Sequence, residues 1–123
     1  MFWPFNINVE KKLAETKKIK VHHMRFKIKK INVLDFCAGA RVCAALYNTY
    51  QLNKSSVIDE TANFQKIKSH YIDVLMAGIV YPVFSRKQGE EGSIFVENLL
   101  TDWSLASELY EEIMKYSYGK KKL

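Results

Sequence analysis

The chain changes rhythm at Asn32, and that change constrains its fold more than any other feature. Before it, Ile19 and Val21 alternate with lysines, and Met24, Phe26 and Ile28 alternate with Arg25, Lys27 and Lys29. Period-2 alternation describes strands with one apolar and one solvated face, the solvated face here being cationic (Lys20, Arg25, Lys27, Lys29). It predicts a β-hairpin over residues 17–31 with His22-His23 at the tight turn, although this pair is not the favoured Asn-Gly type. After Asn32, the residues Phe36, Ala40, Cys43, Tyr47 and Tyr50 recur at the spacing of one helical stripe. A helix is therefore expected over about residues 33–51, capped by Asn32.

Two further helices follow from the same reasoning. One spans about residues 60–80, with Phe64, Ile67, Tyr71, Val74 or Leu75, and Gly78 on one side. Pro82 cannot continue it, so it should stop near Val80. The polar loop 85–93 is long for a compact domain and is expected to be mobile or ordered by a partner. Residues 94–100 read as an apolar helical turn that breaks at Thr101-Asp102. The last helix, about 102–117, carries the stripe Leu105, Leu109, Ile113 and Tyr116, with Gly119 where a C-terminal cap belongs. The expected fold class is α+β: a two-stranded hairpin followed by a small bundle of three main helices. Residues 17–119 form its single domain, preceded by an aromatic and basic arm over 1–16 and followed by a basic tail over 120–123.

A chain of 123 residues with 48% hydrophobic content can build a core without disulfide or metal staples. Cys37 and Cys43 lie six apart on one expected helix, about 9 Å between Cα atoms and too far to bond each other. They are expected to be free, mostly buried, and in a reducing compartment. No apolar run reaches the roughly 18 residues of a membrane span, and the N-terminal residues lack the order of a signal peptide. Cytoplasm of the producing cell is the expected location, with no membrane partner.

The net charge of +6 is unevenly placed. Residues 1–30 hold nine Lys and Arg against two Glu, whereas residues 31–118 hold seven against eleven acidic residues. Basic ends around an acidic body suit nucleic acid, an acidic protein or simple solubility, and nucleic acid is the lesser expectation.

Catalytic chemistry is not legible. Glu90-Glu91 and Glu111-Glu112 are adjacent carboxylates, which do not face one another on a helix. His22 and His23 are neighbours that would point to opposite faces of a strand, with no Cys, Asp or Glu nearby in sequence to complete a metal site. His70 sits beside its helix stripe and reads as a surface or satisfied boundary residue. Gly39 belongs to no phosphate-binding loop. No enzyme, cofactor or metal is expected; a small chain without catalytic residues is expected to work by binding.

The order of features from Phe26 to Lys120 carries a resemblance. The strand Phe26-Lys27-Ile28-Lys29-Lys30-Ile31 runs into Asn32-Val33-Leu34-Asp35 and a helix. A second helix ends Met76-Ala77-Gly78-Ile79-Val80-Tyr81-Pro82, and a last one reads Trp103-Ser104-Leu105 and then Glu108-Leu109-Tyr110-Glu111-Glu112-Ile113. This order resembles the small tail assembly chaperones of long-tailed bacteriophages, over about three quarters of the chain. Those proteins are commonly acidic, and the basic ends here depart from their pattern. The resemblance implies an apolar groove that holds the long helical tape-measure protein in solution until tube subunits assemble around it. Tyr47, Tyr50, Tyr71, Tyr81, Trp103 and Tyr110 are the expected groove residues, because Tyr and Trp contribute most to protein interfaces. The aromatic tip Phe2, Trp3 and Phe5 is expected either to fray or to dock on a second copy of the chain, giving a homo-oligomer. A virion structural protein of the head–tail or tail, and a small basic nucleic-acid-binding protein, are the alternatives.

Overall fold

The computed structural model describes residues 4–37, 39–41 and 57–119. The described elements run α1 (Pro4–Leu13), β1 (Thr16–Val21), β2 (Met24–Lys29), α2 (residues 33–37 and 39–41), α3 (Val57–Gly78), β3 (Ile79–Tyr81), β4 (Phe84–Ser85), β5 (Ile94–Phe95), α4 (Val96–Leu100) and α5 (Trp103–Tyr118). The fold is α+β, as the period change at Asn32 predicts.

The hairpin closes as expected. β1 and β2 pair antiparallel from Thr16 opposite Lys29 to Val21 opposite Met24. His22 and His23 form the two-residue turn, with φ of 50° and 66°. Both lie in the left-handed region, where the mirror-image hairpin turn matches the right-handed twist of the strands. Exposed alternate residues leave Val21, Phe26 and Ile28 buried on one face.

Four expectations need correction. The sheet has three strands, in the order β1-β2-β3, not two. The segment expected as the end of the second helix, Ile79–Tyr81, leaves α3 at Gly78 and runs antiparallel to β2. β-branched Ile79 and Val80 suit a strand, and Ile79 is buried in the core there. A shift between Lys27 opposite Tyr81 and Ile28 opposite Ile79 makes Val80 the extra residue of a bulge. Pro82 follows in a cis peptide bond with Tyr81.

Second, the segment ahead of the hairpin carries a helix that the sequence reading did not expect, Pro4–Leu13, and the first strand begins at Thr16. Proline is well suited to a first helical turn, where its missing N–H would have no partner. Third, loop 85–93 is held by its own side chains. Buried Ser85 donates its Oγ hydrogen to Glu90 (2.6 Å) and accepts from the Lys87 N–H (3.0 Å); Ile94 N–H donates to the Val83 carbonyl, closing the short parallel pair β4-β5. Arg86 then reaches Asp73 on α3 at 2.9 Å. Fourth, Cys37 is free but exposed; Cys43 lies outside the described residues.

The helices pack as amphipathic elements around one core. Asn32 accepts from the Leu34 N–H at 3.1 Å, the cap expected for α2. Asp102 accepts from the Leu105 N–H at 3.2 Å and starts α5. α5 lays Leu105, Ala106, Leu109 and Ile113 against α3, α4 and the inner face of the sheet, where Ile28, Val74, Leu75 and Val96 are fully enclosed. Gly78 permits a close approach between α3 and α5: a Cβ there would lie 2.6 Å from Ile113 Cγ2. Among the described residues, no helix is long and apolar enough to cross a membrane.

Candidate functional site: an aromatic stripe on α5

α5 carries two apolar stripes, of which one is fully buried in the core and the other is only partly covered by it. Leu105, Leu109 and Ile113, spaced by four, are buried. The second stripe, Trp103, Tyr110, Met114 and Tyr118, recurs at intervals of seven, four and four along an adjacent face. Trp103 is 51% exposed and Tyr118 59% exposed, with Tyr110 and Met114 half-buried between them. At 1.5 Å per residue this stripe runs about 22 Å, the length of a partner helix of four turns.

α3 supplies its floor. The Tyr71 ring stacks on Tyr110 with centroids 4.2 Å apart and 26° between planes, and contacts Trp103 at 4.8 Å. His70, next in sequence, turns inward and is 6% exposed. Its Nε2 shares a 2.8 Å hydrogen bond with the Tyr110 hydroxyl, so Tyr110 is anchored by its polar tip and presents its ring. Burial pushes the His70 pKa below its ordinary value, against a smaller opposing pull from Asp73. α2 closes the other side of the imidazole. A Cβ on Gly39 would fall 2.5 Å from His70 Nδ1, and the Phe36 ring centroid lies 6.5 Å from that of His70.

Towards the C-terminal end of α5 the stripe opens into a cleft of about 1270 Å³, lined by Tyr110, Met114, Tyr116 and Tyr118 together with Lys17, Lys30 and residues of both charges. The Tyr116 hydroxyl donates to Glu15 at 2.9 Å, which holds the Glu15 carboxyl below its usual range with help from Lys12. Burial, and then the Glu15 contact, push the Tyr116 hydroxyl upward. Lys17 and Lys30 place their ammonium groups 5.6 and 5.3 Å from the Tyr116 ring centroid, within cation–π range. The cleft carries both signs, with Lys12, Lys17, Lys30 and Lys115 against Glu15, Glu111 and Glu112.

One constellation superficially resembles catalytic machinery. His22 Nε2 lies 3.2 Å from Glu108 and 3.4 Å from Ser104 Oγ. A serine–histidine–carboxylate relay requires the serine on one ring nitrogen and the carboxylate on the other. Here both share Nε2, so the group is a clip that ties the hairpin turn to α5. Among the described residues, no three His, Cys, Asp or Glu side chains converge on a metal position.

Of the residues expected from sequence to form the groove, the structure brings Tyr71, Trp103 and Tyr110 together. Tyr81 lies elsewhere, on the outer face of the sheet opposite Lys27. Phe2, Trp3, Tyr47, Tyr50 and the side chain of Phe5 lie outside the described residues. Sequence reading missed Met114, Tyr118 and the anchoring role of His70. The i, i+4 spacing of Tyr110, Met114 and Tyr118 was the available signal. Against known proteins, no family model matches the chain, and neither does any curated protein or solved structure.

Proposed function

We propose that the protein is a non-enzymatic binding or assembly protein whose second α5 stripe accepts an amphipathic helix of a protein partner. One observation carries this reading: a row of Trp103, Tyr110, Met114 and Tyr118 along α5, exposed at its two ends and partly covered in the middle, with Tyr71 stacked on Tyr110. Aromatic rings on a rigid helix supply contact area at little entropic cost, and Met adapts to irregular surfaces. An apolar row of this length is the receiving half of a helix-in-groove contact.

The resemblance in motif order to tail assembly chaperones names a client class for this surface: a long amphipathic-helical protein of tape-measure type, held by many weak contacts. Where the client is missing, the same stripe supports self-association. The test is co-expression of a tape-measure-type protein with the wild-type chain and with a Trp103→Ala/Tyr118→Ala variant. The reading requires soluble, co-purifying client with the wild type and loss of both with the variant, while the variant stays folded with only a small drop in thermal stability from the lost Trp103–Tyr71 contact. Equal client recovery with both chains would overturn it.

A further inference from the structure

The outer face of the sheet forms a second surface, unrelated to the α5 stripe. Strand side chains alternate, so burial of Val21, Phe26, Ile28 and Ile79 leaves the opposite face to Lys18 and Lys20 on β1, Arg25, Lys27 and Lys29 on β2, and Tyr81 on β3. Register sets Lys18 directly opposite Lys27, Lys20 opposite Arg25, and Lys27 opposite Tyr81. Like charges directly opposed across strands destabilise a sheet. Among the described residues, none of these five cations takes part in an ion pair; the ion pairs there involve Lys12, His22, Lys68 and Arg86. Solubility alone asks for charge of either sign. Two repulsive cross-strand pairs with no acid on the same face ask for an anion from outside.

We infer that this face binds single-stranded nucleic acid, with phosphates over the two rows of cations and a base on the Tyr81 ring. Alternate residues of a strand are about 6.6 Å apart, close to the separation of neighbouring phosphates on one nucleic-acid strand. Arg25, Lys27 and Lys29 make a row of three at this spacing along β2, flanked by Lys18 and Lys20 on β1. β3 is the opposite edge of the sheet, and Tyr81 stands there 63% exposed. Every base has a face that stacks on an aromatic ring, so a cationic groove beside one exposed Tyr suits an unpaired strand of any sequence. A duplex hides the faces of its bases and would leave Tyr81 unused.

The probe is a fluorescent oligothymidylate, with anisotropy measured on the full chain over a range of salt. Engagement of all five cations predicts a log–log salt slope of about −3.5. Lys18→Glu converts a repulsive pair with Lys27 into an attractive one. It should therefore weaken binding by roughly tenfold or more and flatten the slope, while leaving the melting temperature unchanged or higher. Tyr81→Ala should weaken binding by about tenfold without changing the slope. Lys66→Glu, which makes the same change of net charge on α3, should have a much smaller effect than Lys18→Glu. Several results would overturn the proposal: equal losses from Lys18→Glu and Lys66→Glu, equal affinity for a duplex of the same length, or tighter binding to phosphatidylserine vesicles that ignores Tyr81.

Discussion

The ring of Tyr71 on α3 stacks on the ring of Tyr110 on α5, 4.2 Å between centroids, while the Tyr110 hydroxyl bonds to buried His70. Adjacent residues of α3 thus hold the same tyrosine from two sides, one by its face and one by its tip. The consequence is a fixed aromatic floor for the exposed stripe, distinct from the core underneath it.

Leu109 and Trp103 sit on different stripes of one helix, and their truncations should differ accordingly. Leu109 is fully buried, so Leu109→Ala should cost about 2–5 kcal/mol through lost transfer energy and a residual cavity. Trp103→Ala should cost about 1 kcal/mol or less, mostly its contact with Tyr71. Phe36, which belongs to the apolar stripe of the first expected helix, is only half-buried, and Phe36→Ala should fall between the two. Urea midpoints for the three variants check this order.

Gly78→Ala should destabilise by about 1–3 kcal/mol, because the new methyl would lie 2.6–2.9 Å from three atoms of Ile113. The clash is with a side chain, so the double variant Gly78→Ala/Ile113→Val should recover part of the loss. Thermal melts of the single and double variants give the coupling directly. Additive losses would mean that α3 and α5 do not meet at this point.

His70 makes stability depend on pH with a definite sign. Burial lowers its folded-state pKa below the ordinary value of 6.5. Between that value and the lower folded one, the unfolded chain binds a proton that the folded chain refuses. The contribution of His70 to stability is therefore complete above about pH 7 and is lost progressively as pH falls through 6.5 towards the folded pKa. Denaturant unfolding of the wild type should weaken across this window, and His70→Gln should flatten that part of the profile whatever it does to the absolute stability.

Much of the fold was legible because local periodicity and tertiary burial agree. The hairpin, the Asn32 cap and the buried row Leu105, Leu109 and Ile113 all follow from spacing and side-chain chemistry. Ile79–Tyr81 was not legible: three apolar residues before a proline read equally as the end of a helix, and only pairing with β2 makes them a strand. Loop 85–93 was misjudged for a similar reason. Its polarity signals exposure, and residues 86–92 are exposed, but Ser85 bonds Glu90 and Arg86 bonds Asp73, so the loop is tied down from within the chain. At the site, aromatic identity pointed to Tyr71, Trp103 and Tyr110, but which apolar stripe of α5 faces outward depends on packing against α3. Tyr81 was assigned to the groove on identity alone, and the strand that carries it turns it to the cationic face instead.

Trp103 reports directly on whether the α5 stripe is a protein-binding surface. The chain has two tryptophans, Trp3 and Trp103, so a Trp3→Phe background leaves a single fluorophore within the stripe. Titration of this protein with an amphipathic-helical segment of a tape-measure-type client should shift Trp103 emission to the blue, saturably and with little dependence on salt. Tyr118→Ala, at an exposed position, should weaken that titration while leaving the melting temperature nearly unchanged; Tyr71→Ala should weaken it too, with some loss of stability from the broken stack on Tyr110. An emission spectrum that does not move at saturating helix, or a titration unaffected by either substitution, would contradict a binding role for the stripe.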